Sequence, residues 1–369
     1  MSSKPLLSIA IPTYNRAVYL KNLLDYIIPQ IKDGIEICVS NNGSSDNTRE
    51  VVMNFKEKYP DLIKYNENKE DLGDRNLFQV MEMSEGDYIW LFADDDSIIP
   101  NGLEEVINFI KKNCKENTAL VTLKSEAYFI DKKTGKKTVY YTSLEPDKPL
   151  VFEINRENII EANFPDSVFL SILIFKNSFF KKILEQEREL AEKSIGSHYP
   201  QVFLYRLMFL KFSDVKGLAL NKHIVSQELP YYKISIEDRF KKHYVCKKRL
   251  NKLLLSSGYV NDATIKRIKE MDRGFRWNIV QHLILMKAFK TFFYSSYLGV
   301  LKGFFQKATL RDGLMFSLTF IIASLTPSFI LRSILKIYFF LKHGKKWRSH
   351  WTFYNTIHYK VSQVPTLYN

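Results

Sequence analysis

Short apolar runs alternate with amphipathic stretches through the first third of the chain. Residues 6–11 form an apolar run closed by Pro12, and Leu20, Leu23, Leu24, Ile27 and Ile28 then recur at helical spacing. Residues 35–40 are a second run, followed by a polar loop and an amphipathic stretch to about Tyr59. Residues 62–65 are a weaker third run, after which Leu77, Val80 and Met81 mark the inner side of a helix starting near Leu72. Residues 88–93 form the fourth run. Strands alternating with helices predict right-handed βαβ units and a Rossmann-like, parallel sheet with helices on both faces. Further on, the pattern predicts strands at 119–123 and 127–130, and an exposed turn over 131–137 that closes a hairpin with 139–141. A buried run over 167–175 then leads into a helix to about Glu192.

The fourth run ends in three consecutive carboxylates, Asp94, Asp95 and Asp96. Adjacent like charges repel, so a fold keeps them for solvent, for a cation or for chemistry. Open α/β sheets place ligands at the carboxyl ends of their strands, where this tip lies. Pro100 and Asn101 follow, with Glu104 spaced to complete a capping box at a helix start.

Parallel topology sends the loops after strands one, two and four to the same edge. Tyr14, Asn42 and the acidic tip are therefore expected around one crevice. A flat aromatic, an amide, an arginine (Arg75) and clustered carboxylates suit a nucleoside diphosphate with a bridging divalent cation. Carboxylates are hard ligands, which points to Mn²⁺ or Mg²⁺ and away from zinc. The loop after strand one is neither a Gly-x-Gly-x-x-Gly nor a Walker-type loop, which argues against a dinucleotide dehydrogenase or a P-loop NTPase. Each residue has a plainer alternative. Tyr14 could cover the sheet edge, Asn42-Gly43 could be a turn signal, and Arg75 could pair with Asp71 or Asp74. Asp46 reads as a helix N-cap.

Four motifs occur in register: Ile11-Pro12-Thr13-Tyr14-Asn15-Arg16, the run from Val39 through Asn41-Asn42-Gly43 to Thr48, Leu72-Gly73-Asp74-Arg75-Asn76, and Phe92-Ala93-Asp94-Asp95-Asp96. In that order they resemble family 2 glycosyltransferases, which are inverting, nucleotide-sugar-dependent enzymes with the A-type glycosyltransferase fold. The resemblance implies that Thr13 and Tyr14 hold the nucleobase, Tyr14 by stacking, with Pro12 and Arg16 in the same donor-binding loop. Asn42 matches a base-contacting position, which keeps a uridine or thymidine donor plausible, although Asn41 departs from the acidic residue common in relatives. Arg75 matches a position facing the donor phosphates, and Asp94 a ribose or sugar contact. Asp95 matches the metal ligand, with Asp96 able to share or exchange that role. Relatives usually draw the catalytic base from an acidic pair before a later helix, and no such pair stands there. His198, in Gly196-Ser197-His198-Tyr199-Pro200, is the first candidate, and Asp166 the second. A histidine that only caps or packs is the plain alternative.

Charge changes the picture of the second half. The chain carries 54 Lys and Arg against 40 Asp and Glu, and 25 of those cations but only 6 of those anions lie from Tyr231 onward. This basic part is also aromatic. It includes an amphipathic stretch near 275–294 and an almost uncharged one over 314–331, broken by Thr326-Pro327-Ser328 and followed by Lys342, Lys345, Lys346, Trp347 and Trp351. Eighteen apolar residues barely reach a bilayer span. Two in-plane helices at an anionic membrane surface fit the break and the basic rim better, and a helical lid on the catalytic domain is the alternative.

The expected organisation is a catalytic domain over 1–230 and a helical, membrane-associating region over 231–369. Cys38, Cys114 and Cys246 are widely spaced, and no cleavable signal peptide opens the sequence, which suits a cytoplasmic enzyme peripheral on the inner membrane face. The expected function is transfer of a sugar from a nucleotide-sugar donor to a glycan or polyprenyl-diphosphate-linked acceptor in surface-polysaccharide synthesis, with no nucleic-acid partner. The alternatives are a metal-dependent sugar nucleotidyltransferase, or a non-enzymatic membrane- or nucleic-acid-binding protein.

Overall fold

The computed structural model describes residues 4–130, 137–160, 169–228, 246–272, 318, 321–322 and 325–343. Asp166, the hairpin tip and the stretch 275–294 lie outside the described residues. The chain divides into two compact units, Met1–Pro230 with Leu250–Ile265, and Tyr231–Arg249 with Lys266–Asn369.

In the first unit the apolar runs become β1 (Leu7–Thr13), β2 (Ile35–Asn41), β3 (Ile63–Glu67) and β4 (Tyr88–Leu91). Between them lie α1 (Ala17–Ile27), α2 (Thr48–Lys58) and α3 (Arg75–Glu82). These strands pair in parallel in the order β3-β2-β1-β4. All seven residues of β2 are buried, as a parallel strand covered on both faces requires. Right-handed crossovers put α1 and α2 on one face, and α3, which returns across the sheet to β4, on the other. The chain therefore reverses its direction of travel between β1 and β4. That is the switch point where open α/β sheets bind ligands.

Beyond β4 the sheet becomes mixed. It continues through β5 (Asp96–Ile98), β6 (Thr118–Ile130), β7 (Lys137–Thr142), β8 (Val151–Ile154), β9 (Leu173–Lys176) and β10 (Lys216–Glu228). Strand β9 inserts antiparallel between β4 and β6, and β10 runs parallel to β6 and antiparallel to β5 and β8. The parallel arrangement thus covers the first four strands, and the expected hairpin is the antiparallel pair β6–β7. The strands expected at 119–123 and 127–130 are one continuous β6. Helices α4 (Gly102–Asn113), α5 (Asn177–Glu192) and α6 (Pro200–Lys211) complete the layers.

The capping box expected before α4 does not form. Asn101 is left-handed at φ 62° and makes no side-chain cap, while Glu104 pairs with Lys32 at 3.1 Å. At the opposite edge of the sheet from the switch point, Glu36 on β2 accepts from Ser8 Oγ at 2.6 Å and from the N–H groups of Glu85 and Gly86 at 2.6 and 3.0 Å. Lys64 Nζ pairs with it at 2.8 Å. Gly86 is required here, because a Cβ would lie 2.7 Å from Ser8 N and Oγ.

In the second unit, the helix Ser328–His343 follows the Thr326-Pro327 break. Leu318, Ile321, Ile322, Leu325, Phe329, Ile330, Ile334 and Ile337 are exposed. Among the described residues no helix is long and apolar enough to cross a membrane.

Candidate active site

The ends of β1 and β4 are joined directly. Thr13, the last residue of β1, donates its hydroxyl to Asp94 Oδ2 at 2.7 Å, with both side chains buried. Arg16, three residues on, places Nη1 2.5 Å from Asp95 Oδ2 and 3.4 Å from Asp94 Oδ1. Its guanidinium also lies 5.4 Å from the Tyr19 ring centre. Asp95 is the exposed member of the tip, and Asp94 and Asp96 are each 6% exposed.

Asp96 points inward. Its Oδ2 accepts from Ser171 Oγ at 2.6 Å, while its enclosed Oδ1 makes no hydrogen bond. Ser171 is the support beneath the tip, since its hydroxyl oxygen also accepts from Ala93 N at 2.9 Å and its carbonyl from Trp90 Nε1 at 2.8 Å. Sequence reasoning passed over Ser171. The available signal was a hydroxyl set between Leu170 and Ile172 in the expected buried run 167–175.

Burial pushes Asp94 up to about 6, although Thr13 and Arg16 act against it. Burial likewise pushes Asp96 up to about 7 against the Ser171 hydrogen bond, and Asp95 adds to the rise. Crowded carboxylates of this kind favour a cation. Among the described residues, no cluster of three His, Cys, Asp or Glu side chains is arranged to hold a metal alone. The tip still fits Mg²⁺ or Mn²⁺, which bind through one or two carboxylates and complete their shell with water and substrate phosphates. The unpaired Oδ1 of Asp96 and the exposed carboxylate of Asp95 are the oxygens best suited to that role.

The loops after β1 and β2 are locked together. Asn15, left-handed at φ 53°, accepts from Ser45 N at 2.8 Å, and its own N–H donates to Ser44 Oγ at 2.8 Å. Asp46 accepts from Ala17 N and Thr48 N, each at 3.0 Å, and so caps both helix starts. The Asn42 N–H donates to the Thr13 carbonyl at 2.9 Å, which sets Asn42 beside exposed Tyr14.

The Asn42 side chain itself is committed at both ends. Nδ2 donates to Asp71 Oδ1 at 2.5 Å, and Oδ1 accepts from Leu72 N at 3.0 Å and Asn68 Nδ2 at 3.1 Å. Its geometry braces the β3–α3 loop.

Arg75 pairs with Glu192 at the end of α5, and not with Asp71 or Asp74. The Asp74 carboxylate accepts from Gly196 N at 3.0 Å and from His198 N at 2.9 Å. His198 is exposed and left-handed at φ 60°, two residues before α6. The structure thus gathers Thr13, Tyr14, Arg16, Asn42 and the three aspartates at the β1–β4 switch point. Arg75 and His198 belong to a second cluster, made by the start of α3 and the α5–α6 loop.

Residues 8–180 match Glycosyl transferase family 2. The chain carries a family 2 glycosyltransferase domain. Abequosyltransferase RfbV of Salmonella typhimurium is 29% identical over 236 residues, covering 61% of this chain and 65% of that protein. A GalNAc(5)-diNAcBac-PP-undecaprenol beta-1,3-glucosyltransferase of Campylobacter jejuni is 27% identical over 195 residues, covering 52% and 57%. The chain therefore spans less than two thirds of the length of either relative. In fold, the chain resembles Staphylococcus aureus TarS 1–349, with 16% identity, 97% and 91% coverage and a TM-score of 0.53. It also resembles the mannosyltransferase PcManGT of Pyrobaculum calidifontis, solved with GDP-Man and Mn²⁺, with 11% identity, 98% and 87% coverage and a TM-score of 0.51. The mixed sheet with flanking helices is the A-type glycosyltransferase fold.

Proposed function

We propose that this protein transfers a sugar, with inversion, from a UDP- or dTDP-sugar to a lipid-linked or polysaccharide acceptor in bacterial surface-glycan synthesis. The observation that carries this reading is the joining of the β1 and β4 ends by Thr13–Asp94 and Arg16–Asp95 at the topological switch point. The relatives support the acceptor class, since one is an abequosyltransferase and another is named for an undecaprenol-linked glycan.

In this reading Tyr14 stacks on the base, Pro12 and Thr13 shape its loop, and Asn42, braced against the β3–α3 loop, contacts the base. Asp94 contacts the ribose or sugar, while Asp95 and Asp96 hold Mn²⁺ or Mg²⁺. A bound cation would neutralise charge on the leaving diphosphate. Arg75 faces the donor phosphates. An inverting transfer needs a base for the attacking hydroxyl, and His198 is the first candidate, with Asp166 as the second.

The catalytic domain occupies 1–230, and the basic region 231–369 docks on an anionic membrane from the cytoplasmic side. The exposed apolar residues from Leu318 to Ile337 and the excess of Lys and Arg support this docking. Calorimetric screening of nucleotide sugars with and without Mn²⁺ tests the main claim. The expected result is metal-dependent binding that Asp95→Ala abolishes. Failure of every donor to bind, or intact metal-dependent binding in Asp95→Ala, would refute it.

A further inference from the structure

Among the described residues, Arg16 is the cationic side chain paired with the tip, and its charge has the same sign as the expected cation. Its Nη1 sits 2.5 Å from Asp95 Oδ2 and 3.4 Å from Asp94 Oδ1, so it spans the two carboxylates. Its backbone is anchored independently. Arg16 N donates to Thr48 Oγ1 at 3.3 Å, and Arg16 O accepts from Leu20 N at 2.9 Å in the first turn of α1. The side chain is 42% exposed. The guanidinium can therefore change partners while its Cα stays in place.

A guanidinium and a divalent cation compete for the same carboxylate oxygens and repel each other. A nucleoside diphosphate supplies what a displaced guanidinium needs, because planar donor pairs bind phosphate oxygens well. We propose that Arg16 is a built-in counter-ion of the acidic tip, which the cation displaces and the donor diphosphate then captures. This inference rests on the donor reading above and adds an order of events. Cation alone binds weakly against Arg16, and cation with diphosphate binds strongly because the released guanidinium gains a partner. By linkage, Mn²⁺ and the nucleotide each strengthen the other's binding by the same factor.

The test titrates the full-length protein with MnCl₂ alone, and again with saturating UDP, reading bound Mn²⁺ by paramagnetic resonance. Wild type, Arg16→Gln and Arg16→Lys are compared. Arg16→Gln should bind Mn²⁺ alone about tenfold more tightly than wild type and lose most of the strengthening by UDP. Arg16→Lys, which keeps the charge, should stay near wild type without UDP. An Arg16→Gln affinity for Mn²⁺ alone that equals or falls below wild type overturns the proposal. If neither UDP nor dTDP binds wild type at all, the donor reading fails, while the titration with Mn²⁺ alone still decides the role of Arg16.

Discussion

Glu36 offers the sharpest test of how this sheet is held at the edge away from the site. It is a 3% exposed carboxylate near the start of a strand that is buried along its whole length. Burial by itself raises its pKa, but hydrogen bonds from Lys64, Ser8 and the Glu85 N–H outweigh burial and hold the carboxyl below its ordinary range. Glu36→Ala removes the acceptor for Ser8 Oγ and the Glu85 N–H, and one of two acceptors for the Gly86 N–H. Unpaired buried donors cost about 1–3 kcal/mol each, so the expected loss is about 3–5 kcal/mol. Glu36→Gln keeps an oxygen for the same donors and loses chiefly the Lys64 contact. Lys64 is about a third exposed and retains Glu85 at 2.5 Å, so this loss should be about 1 kcal/mol. Urea denaturation of the three proteins measures both changes. The pH dependence follows from the lowered pKa. The stabilisation is complete above the unfolded glutamate value of about 4.3 and disappears as pH falls through the lower folded value. Glu36→Gln should flatten that acid limb. Equal destabilisation by Gln and Ala would refute the claim that the backbone and hydroxyl donors dominate.

Four further outcomes are expected. Gly86→Ala should cost about 1–3 kcal/mol, measured by the same denaturation, because the new methyl meets the Ser8 backbone. Ser171→Ala should strip the hydrogen bonds from Asp96 Oδ2 and the Ala93 N–H and cost about 1–3 kcal/mol, and it should also weaken Mn²⁺ binding in a calorimetric titration. His198→Asn keeps a residue that tolerates the left-handed backbone, so donor binding should persist while sugar transfer is lost. Full transfer activity would eliminate His198 as the base. Phe329→Glu with Ile337→Glu should abolish binding to anionic vesicles in a flotation assay run beside duplex DNA over a salt series, where preference for DNA would count against the membrane reading.

Strands β1, β2 and β4 were legible because a parallel strand buried on both faces is a continuous apolar run, whereas edge strand β3 is only partly buried and showed a weaker run; the helices between show a 3.6-residue period. The acidic tip was legible because charge at the end of such a run is costly unless it is used. Strand β5 was not, since three residues beginning Asp96-Ser97 have no apolar signature and owe their extension to pairing with β10. The partner of Arg75 was equally hidden, because Glu192 lies 117 positions away. The partners of Asn42 were hidden for a related reason. An amide at a strand end looks available in sequence, and only the fold brought Asn68, Asp71 and Leu72 around it.

The sequence alone therefore determined the βαβ framework and the sheet edge at which Tyr14, Asn42 and the acidic tip meet. Those follow from local periodicity and from the rule that parallel strands deliver their loops to one edge. Tertiary structure alone decided how the three aspartates divide their work. Asp94 faces Thr13, Asp95 faces Arg16, and Asp96 turns inward to Ser171. Three identical neighbours carry no local signal that separates them. Their environments differ because β1, α1 and the segment before β9 arrive at the tip from distant parts of the chain.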